Sequence, residues 1–112
     1  MENCIFCKIA KGEIKAKIVY EDEKFIAFRD TNPQAPVHIL IIPKKHISKL
    51  YDIEDAKLLG EMLILTNKLA NSEGISKTGY RVVINTNSEA GQSVDHLHFH
   101  LLGGRIMNWP PG

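Results

Sequence analysis

The 112-residue sequence lacks the features of a secreted, membrane-spanning or nucleic-acid-coating protein. Its longest apolar runs are only a handful of residues, far below the ~20 that cross a bilayer. The chain does not open with a basic segment followed by a long apolar run, so we expect no secretory signal and a cytoplasmic location. The formal net charge is only +1, and we therefore expect neither nucleic acid nor membrane as a partner.

Internal repeats, low-complexity tracts and Gly/Ser linkers are missing as well, so we predict a single domain over residues 1–112. Cysteine is scarce, and both cysteines stand together as Cys4 and Cys7. A disulfide between them would close a very small loop and add little stability. The pair is therefore interpreted either as two ordinary buried thiols or as half of a metal or redox site.

The hydrophobic pattern predicts an α+β domain with a mainly antiparallel sheet, one long helix and a short N-terminal helix. The long helix is predicted over residues 53–72, with Asp52 as its N-cap and Asp55 in its first turn. Its apolar stripe consists of Leu58, Leu59, Met62, Leu65, Leu69 and Ala70. The short helix is predicted at residues 4–11, and strands at residues 18–20, 25–28, 38–42, 80–84 and 96–102.

Three of the five histidines alternate with apolar residues in the last predicted strand, as His96, His98 and His100. Successive strand side chains point to opposite faces, so the three imidazoles should share one face. Their apolar neighbours should face the core. Titratable groups gathered in this way are typical of a functional site rather than of a solvated strand face.

Two chemistries fit these histidines. In one, the imidazoles bind a metal; in the other, one imidazole is a nucleophile toward phosphorus and its neighbours hold the phosphate. The polar loop at residues 85–93 favours phosphoryl chemistry, because the Gln92 amide, the Ser93 hydroxyl and backbone N–H groups near Gly91 can donate to phosphate oxygens. Asp95 is the only carboxylate in the motif and falls on the opposite face, which leaves a metal site short of ligands.

Residues 91–104, GQSVDHLHFHLLGG, resemble the histidine-triad motif His-φ-His-φ-His-φ-φ, in which φ is apolar. Residues 30–38 (DTNPQAPVH), 42–47 (IPKKHI) and 109–112 (WPPG) resemble the histidine triad nucleotide-binding (Hint) branch of that family. The likeness covers nearly the whole chain. It implies a homodimer whose sheet continues across both subunits, a site for a purine nucleotide such as AMP or GMP, and hydrolysis of nucleoside 5′-phosphoramidates.

The resemblance also implies roles for single residues. His98 would attack the α-phosphorus and form a nucleotidyl-histidine that water resolves, with no cofactor required, while the carbonyl of His96 fixes the tautomer of His98. The tail, residues 105–112, would approach the active site of the partner subunit, where Trp109 would help to select the leaving group. The remaining predicted contacts are His38 and His100 beside the phosphate, Asn85, Gln92 and Ser93 at the phosphate or leaving group, and Asp30 at the ribose hydroxyls.

Some histidine-triad proteins carry a Cys-x-x-Cys pair that binds a structural zinc with two later histidines. Here Cys4 and Cys7 would be joined by His46 and His96 in a Cys₂His₂ set. Many members of the Hint branch lack the pair, so the two resemblances point in different directions. Two rival functions also remain open, namely a nucleotide-binding regulatory module with negligible turnover and a metal-dependent hydrolase that uses the histidine cluster.

Overall fold

The computed structural model describes residues 3–112, and Met1 and Glu2 of the predicted domain lie outside the described residues. Its helices and strands are α1 (Ile5–Ala10), β1 (Ile18–Glu21), β2 (Phe25–Arg29), β3 (Val37–Pro43), α2 (Ala56–Ser72), β4 (Tyr80–Val83) and β5 (Phe99–Gly103). The predicted α+β class, with one long and one short helix, is confirmed. No helix within residues 3–112 has the length and apolar character needed to cross a bilayer.

The five strands form one open sheet in the order β1-β2-β3-β5-β4, and every neighbouring pair is antiparallel. The strands β3 and β5 are therefore central. Across this pair His38 lies opposite Leu102, and Leu40 lies opposite His100. Directly opposed residues project from the same face of a sheet, so His38 and His100 share a face.

The two faces of the sheet pack against different helices. On one face α2 buries Met62, Leu65 and Leu69 against the inward side chains of the central strands, which include Ile39, Ile41, Phe99 and Leu101. On the other face, α1 packs Phe6 and Ile9 against Ile26, Phe28, Leu40 and Ile42. The histidines belong to this second face, and α1 is too short to cover all of it. The uncovered area is where a site can form.

The helix α2 begins at Ala56, three residues later than the sequence predicts. The predicted cap, Asp52, instead belongs to a 3₁₀ turn at Leu50–Asp52, and the backbone of Ile53 is extended with ψ 124°. An extended residue cannot continue into a helix. Asp55 is the N-cap, and its carboxylate accepts a hydrogen bond from the Leu58 N–H at 3.0 Å.

The strand β5 begins at Phe99 rather than at His96. The ladder to β3 stops at the pair Ile41–Phe99, although β3 itself continues to Pro43, which has no N–H to donate. The Leu97 N–H donates instead to the carbonyl of Ile47 at 2.6 Å. The first two triad histidines therefore lie in an irregular segment just before the strand.

Candidate active site

A cavity of about 890 Å³ opens between α1 and the histidine face of the sheet. This volume is in the usual range for small-molecule sites. The apolar part of its wall comes from Ile5, Phe6, Ile9, Ile14, Phe28, Leu40 and Val94. The polar part comes from Asp30, His38, Ser93, His98 and His100, with Lys15, Lys17 and Arg29 also in the lining. The cavity thus joins an apolar surface to a set of imidazoles.

The ring of His98 is held in one tautomer. Its Nδ1 lies 2.7 Å from the carbonyl oxygen of His96, and because a carbonyl can only accept, Nδ1 carries the proton. The lone pair is then on Nε2, the nitrogen left for a ligand in the cavity. Burial lowers the pKa of His98 below its ordinary value of 6.5, so the ring is neutral at pH 7. Phe6 contacts the ring edge-on, with the centroids 5.1 Å apart.

His38 and His100 form a directed pair. The backbone N–H of Gln34 donates to Nδ1 of His38 at 3.0 Å, so the proton of His38 is on Nε2. This Nε2–H donates to Nδ1 of His100 at 2.9 Å, which leaves the proton of His100 on its own Nε2. Burial, with smaller contributions from His98 and His38, lowers the pKa of His100 to about 4. Burial also lowers the pKa of His38, against the opposing charge of Asp30.

Among the lining residues within 3–112, Asp30 provides the single acidic side chain. Its Oδ2 lies 3.4 Å from Nε2 of His38, and its Oδ1 accepts from the backbone N–H of Asn32 at 2.8 Å. The Asp30 N–H donates to the carbonyl of His38 at 3.0 Å. The carboxylate is therefore held at the edge of the imidazole pair, where it can accept from hydroxyl groups of a ligand.

The Gln92 amide is engaged inside its own loop. Its Nε2 donates to the carbonyls of Ser48 and Val94 at 2.8 and 3.1 Å, and its Oε1 accepts from the Asn87 N–H at 2.9 Å. Both amide protons are therefore used. In this arrangement Gln92 braces the loop, and a donation to a phosphate would require one of these bonds to break.

The other predicted contacts divide between the cavity and its surroundings. Ser93 lines the cavity, whereas Asn85 and Gly91 do not. Gly91 has a φ of 84°, a left-handed backbone that glycine adopts readily. Trp109 is 81% exposed and lies 6.0 Å from the guanidinium of Arg81 on β4. Within one chain the tail is thus outside the cavity, and its predicted role depends on a partner subunit.

A second constellation lies beside the cavity. We call Cys4, Cys7, His46 and His96 the Cys–His cluster, because one ligand atom from each lies within 4.8 Å of all the others. The Sγ of Cys4 is 3.3 Å from Nδ1 of His96, and the Sγ of Cys7 is 3.2 Å from Nδ1 of His46. Both thiols are free. A tetrahedral zinc site with ordinary Zn–S and Zn–N bonds has S–N edges of about 3.6 Å, so this donor set fits zinc.

The triad histidines do not converge on a common metal position. Two groups within residues 3–112 have metal-ligand spacing, and neither contains all three. His96 belongs to the Cys–His cluster, while the second group consists of Asp30, His38 and His100. In that second group Nε2 of His38 carries the proton, because its Nδ1 accepts from Gln34, and a protonated nitrogen cannot be a ligand.

Two residues of the site were not identified from the sequence. Phe6 contacts both His98 and His96 edge-on, and its position inside the Cys-x-x-Cys segment was the available signal. Gln34 acts through its backbone N–H, which no side-chain pattern reveals. His38, which the resemblance predicts beside the phosphate, lines the cavity and contacts His100.

The chain is therefore an α+β domain with an open antiparallel sheet, and neutral imidazoles line a partly apolar cavity on one face of that sheet. Residues 11–107 match the family model of the HIT domain, and the chain belongs to that family. The resemblance to histidine-triad proteins noted in the sequence is thereby confirmed.

Known relatives agree in sequence and in fold. The crystal structure of a HIT family hydrolase from Legionella pneumophila Philadelphia 1 is 59% identical, with a TM-score of 0.96 over 98% of this chain and 100% of that one. A 14 kDa zinc-binding protein from Zea mays is 54% identical over 96% of this chain and 87% of its own. A histidine triad nucleotide-binding protein from Candida albicans is 39% identical, with a TM-score of 0.85 over 96% of this chain and 83% of that one.

Proposed function

We propose that this chain is a purine nucleotide-binding hydrolase and nucleotidyl transferase that cleaves the P–N bond of nucleoside 5′-phosphoramidates. The observation that carries the proposal is the state of His98. Its ring is neutral, its Nδ1 proton is committed to the His96 carbonyl, and its Nε2 lone pair remains for an electrophile in the cavity. The similarity to a HIT family hydrolase supports hydrolysis as the reaction class.

The chemistry would proceed in two steps. The lone pair on Nε2 of His98 forms a bond to the α-phosphorus while the bond from phosphorus to the leaving nitrogen breaks, and that nitrogen takes a proton from solvent to leave as an amine. The resulting imidazolium keeps its Nδ1–H bonded to the His96 carbonyl, which stabilises the new positive charge. Water then attacks the phosphorus, the bond from phosphorus to Nε2 breaks with its electron pair returning to Nε2, and the proton of the water passes to solvent. The nucleoside monophosphate is thereby released and neutral His98 returns.

The cavity offers a matching environment for each part of such a ligand. The apolar wall around Phe6 and Phe28 suits a purine ring, and the Asp30 carboxylate can accept from ribose hydroxyls. The Nε2–H of His100 and the Ser93 hydroxyl can donate to the α-phosphate oxygens. The C. albicans relative is a nucleotide-binding protein, which supports the same ligand class here.

The decisive experiment is hydrolysis of adenosine 5′-phosphoramidate in the presence of a chelator, by the unaltered chain and by His98→Ala, with circular dichroism as the check on folding. We expect AMP release that the chelator leaves intact and that the substitution abolishes. Turnover only after zinc is restored would instead support a metal-dependent hydrolase. AMP binding by calorimetry without any turnover would support a regulatory module.

We also propose that the Cys–His cluster binds one structural zinc ion, outside the chemical steps. The donor spacing fits zinc, and His96 donates from Nε2 to the Pro43 carbonyl at 2.7 Å, which leaves Nδ1 free to ligate. The relative from Zea mays is a zinc-binding protein. Elemental analysis should find one zinc per chain, and Cys4→Ser should lower both zinc content and melting temperature. Unchanged metal content in Cys4→Ser would contradict this assignment.

A homodimer is the third part of the proposal. Among the described strands β4 pairs only with β5, so its other edge can pair with a second copy and continue the sheet. The adjacent helix α2 exposes Leu63 (41%) and Ile64 (54%), and a bond from the Tyr80 hydroxyl to Asn67 ties this helix to β4. Ile64→Glu should yield monomers by light scattering, whereas Tyr51→Glu, at an exposed residue outside α2 and β4, should not. Dimers in both variants would contradict this interface.

The proposed setting is the cytoplasm, where a free thiol pair such as Cys4 and Cys7 stays reduced. The proposed unit of function is the single domain over residues 1–112. The tail would act across the dimer, with Trp109 beside the leaving group of the partner subunit. Removal of residues 109–112 should then change the preference among leaving groups, and identical rates and selectivity would contradict this role.

A further inference from the structure

The peptide group between His96 and Leu97 is held at both of its polar ends. Its carbonyl oxygen accepts from Nδ1 of His98 at 2.7 Å. Its N–H donates to the carbonyl of Ile47 at 2.6 Å. A rotation of this peptide would weaken both bonds together. The orientation of one peptide group therefore decides which nitrogen of His98 carries the proton.

The side chain of His96 fixes the same peptide from a third direction. The ring is fully buried, and its Nε2 donates to the Pro43 carbonyl at 2.7 Å. Its Nδ1 faces the Sγ atoms of Cys4 and Cys7 at 3.3 and 3.5 Å. Both ring nitrogens are therefore engaged, and the ring cannot turn without losing its contacts to all three partners.

Most of the groups that contact the 96–97 peptide and the His96 ring belong to the end of β3 and the connection after it. Pro43 accepts from the His96 ring, His46 belongs to the Cys–His cluster, and Ile47 accepts from the Leu97 N–H. Pro43, His46 and Ile47 thus each lie close to the segment that precedes β5. Cys7 of the Cys–His cluster links the connection after β3 to α1, because its Sγ lies 3.2 Å from Nδ1 of His46.

We propose that the His96 side chain is a positioning group for the reaction, which holds the 96–97 peptide so that its carbonyl keeps His98 in the Nδ1–H tautomer. This role is distinct from stabilisation of the fold by a metal, because it depends on the bond from Nε2 to Pro43 as well as on the ligand atom Nδ1. It rests on the proposed function only for its kinetic consequence. The tautomer of His98 is set whether or not a substrate is present.

Two substitutions separate positioning from metal binding. His96→Cys and His46→Cys both convert the Cys–His cluster to the same Cys₃His ligand set. Only His96→Cys removes the bond to Pro43. Cobalt(II) added as the metal reports the site through its absorption spectrum, and two-dimensional ¹H–¹⁵N spectra of the histidine rings report the tautomer of His98.

We expect both variants to bind one cobalt ion, and His46→Cys to keep the Nδ1–H tautomer of His98 and a higher kcat than His96→Cys. His96→Cys should populate the Nε2–H tautomer and lose kcat by ~10–100-fold with little change in KM, the size typical when a supporting hydrogen bond is removed. Equal tautomer populations and equal kcat in the two variants would overturn the proposal.

A second pair of substitutions tests the same proposal if the His96→Cys protein does not fold. Compared without metal, His96→Gln keeps an N–H donor for Pro43, and His96→Leu has none. The Nδ1–H tautomer of His98 should persist in the first and decline in the second, and equal populations would again overturn the positioning role. A folded chain with the expected tautomers but no hydrolysis would contradict the proposed function and leave the positioning role standing.

Discussion

The Nε2 atom of His38 lies 2.9 Å from Nδ1 of His100, and this contact orders the protons of both rings. Because the Gln34 N–H occupies the other nitrogen of His38, the His38 proton must point to His100. His100 then has its single proton on Nε2. A neutral imidazole can therefore act at this position as a fixed hydrogen-bond donor, without the charge that a protonated ring would carry.

Loss of the fixed proton positions on His38 and His100 should slow the proposed reaction more than it weakens substrate binding. In His38→Ala the Nδ1 of His100 loses its donor, so the ring can take either tautomer and offers its Nε2–H for only part of the time. We expect kcat for adenosine 5′-phosphoramidate to fall by ~10–100-fold with a smaller change in KM. His38→Gln retains an amide donor and should recover part of the loss. Equal rates in the two variants would contradict the donor role.

The value of kcat/KM should not decrease as the pH is lowered from 8 to 7. In the proposed reaction His98 attacks as a neutral ring, and because burial lowers its pKa below 6.5, that form already predominates at pH 7. Activity should be flat from pH 7 to pH 8 and should fall only below pH 6.5, as the imidazole takes up a proton. Steady-state rates between pH 4 and pH 8 measure this, and a steep rise from pH 6.5 to pH 8 would contradict the assignment.

Stability should decline in acid because of His100. Its pKa is about 4 in the folded chain and about 6.5 when unfolded, so the unfolded chain binds the extra proton first as the pH falls. The contribution of His100 is complete above pH 6.5 and is lost as the pH falls from 6.5 to about 4. Urea unfolding at several pH values measures it. His100→Asn should flatten this dependence, and an unchanged slope would show that other groups cause it.

The start of α2 gives a prediction about stability alone. Asp55→Ala removes the carboxylate that accepts from the Leu58 N–H and should lower the free energy of unfolding by about 1 kcal/mol. Asp52→Ala is the matched control, because Asp52 lies in the preceding 3₁₀ turn and does not cap α2. Thermal melts of both variants compare them directly. A larger loss of stability in Asp52→Ala than in Asp55→Ala would show that Asp52 is the N-cap, as the sequence predicted.

The positions of the strands could be predicted because their apolar runs are short and bounded by turn residues. The alternation around Phe99 correctly predicts which side chains face α2, since the period of two survives even where the ladder stops. The contact between His38 and His100 has no local signal, and the resemblance to a known motif predicted only that both residues lie beside the phosphate. Antiparallel registration of β3 with β5 brings the two rings together.

The features that could not be predicted depend on contacts between distant segments. Asp52 and Asp55 are equally good caps, and the choice depends on the extended backbone at Ile53, which packs on the core together with Leu50. The Gln92 amide could serve a ligand or its own loop, and the carbonyl of Ser48 from another part of the chain decides in favour of the loop. Short-range patterns do not contain that information.

The central position of β3 and β5 has a consequence for how this domain can change over evolutionary time. Interior strands of a sheet are among the last parts of a domain to open, so the geometry of the His38–His100 pair, which these two strands carry, is as durable as the sheet itself. The apolar wall on α1, the lysines at positions 15 and 17 and the tail lie outside these strands. Substitutions there can change the choice of ligand while the reaction proposed for His98 is preserved, so we expect new specificities to arise at the periphery.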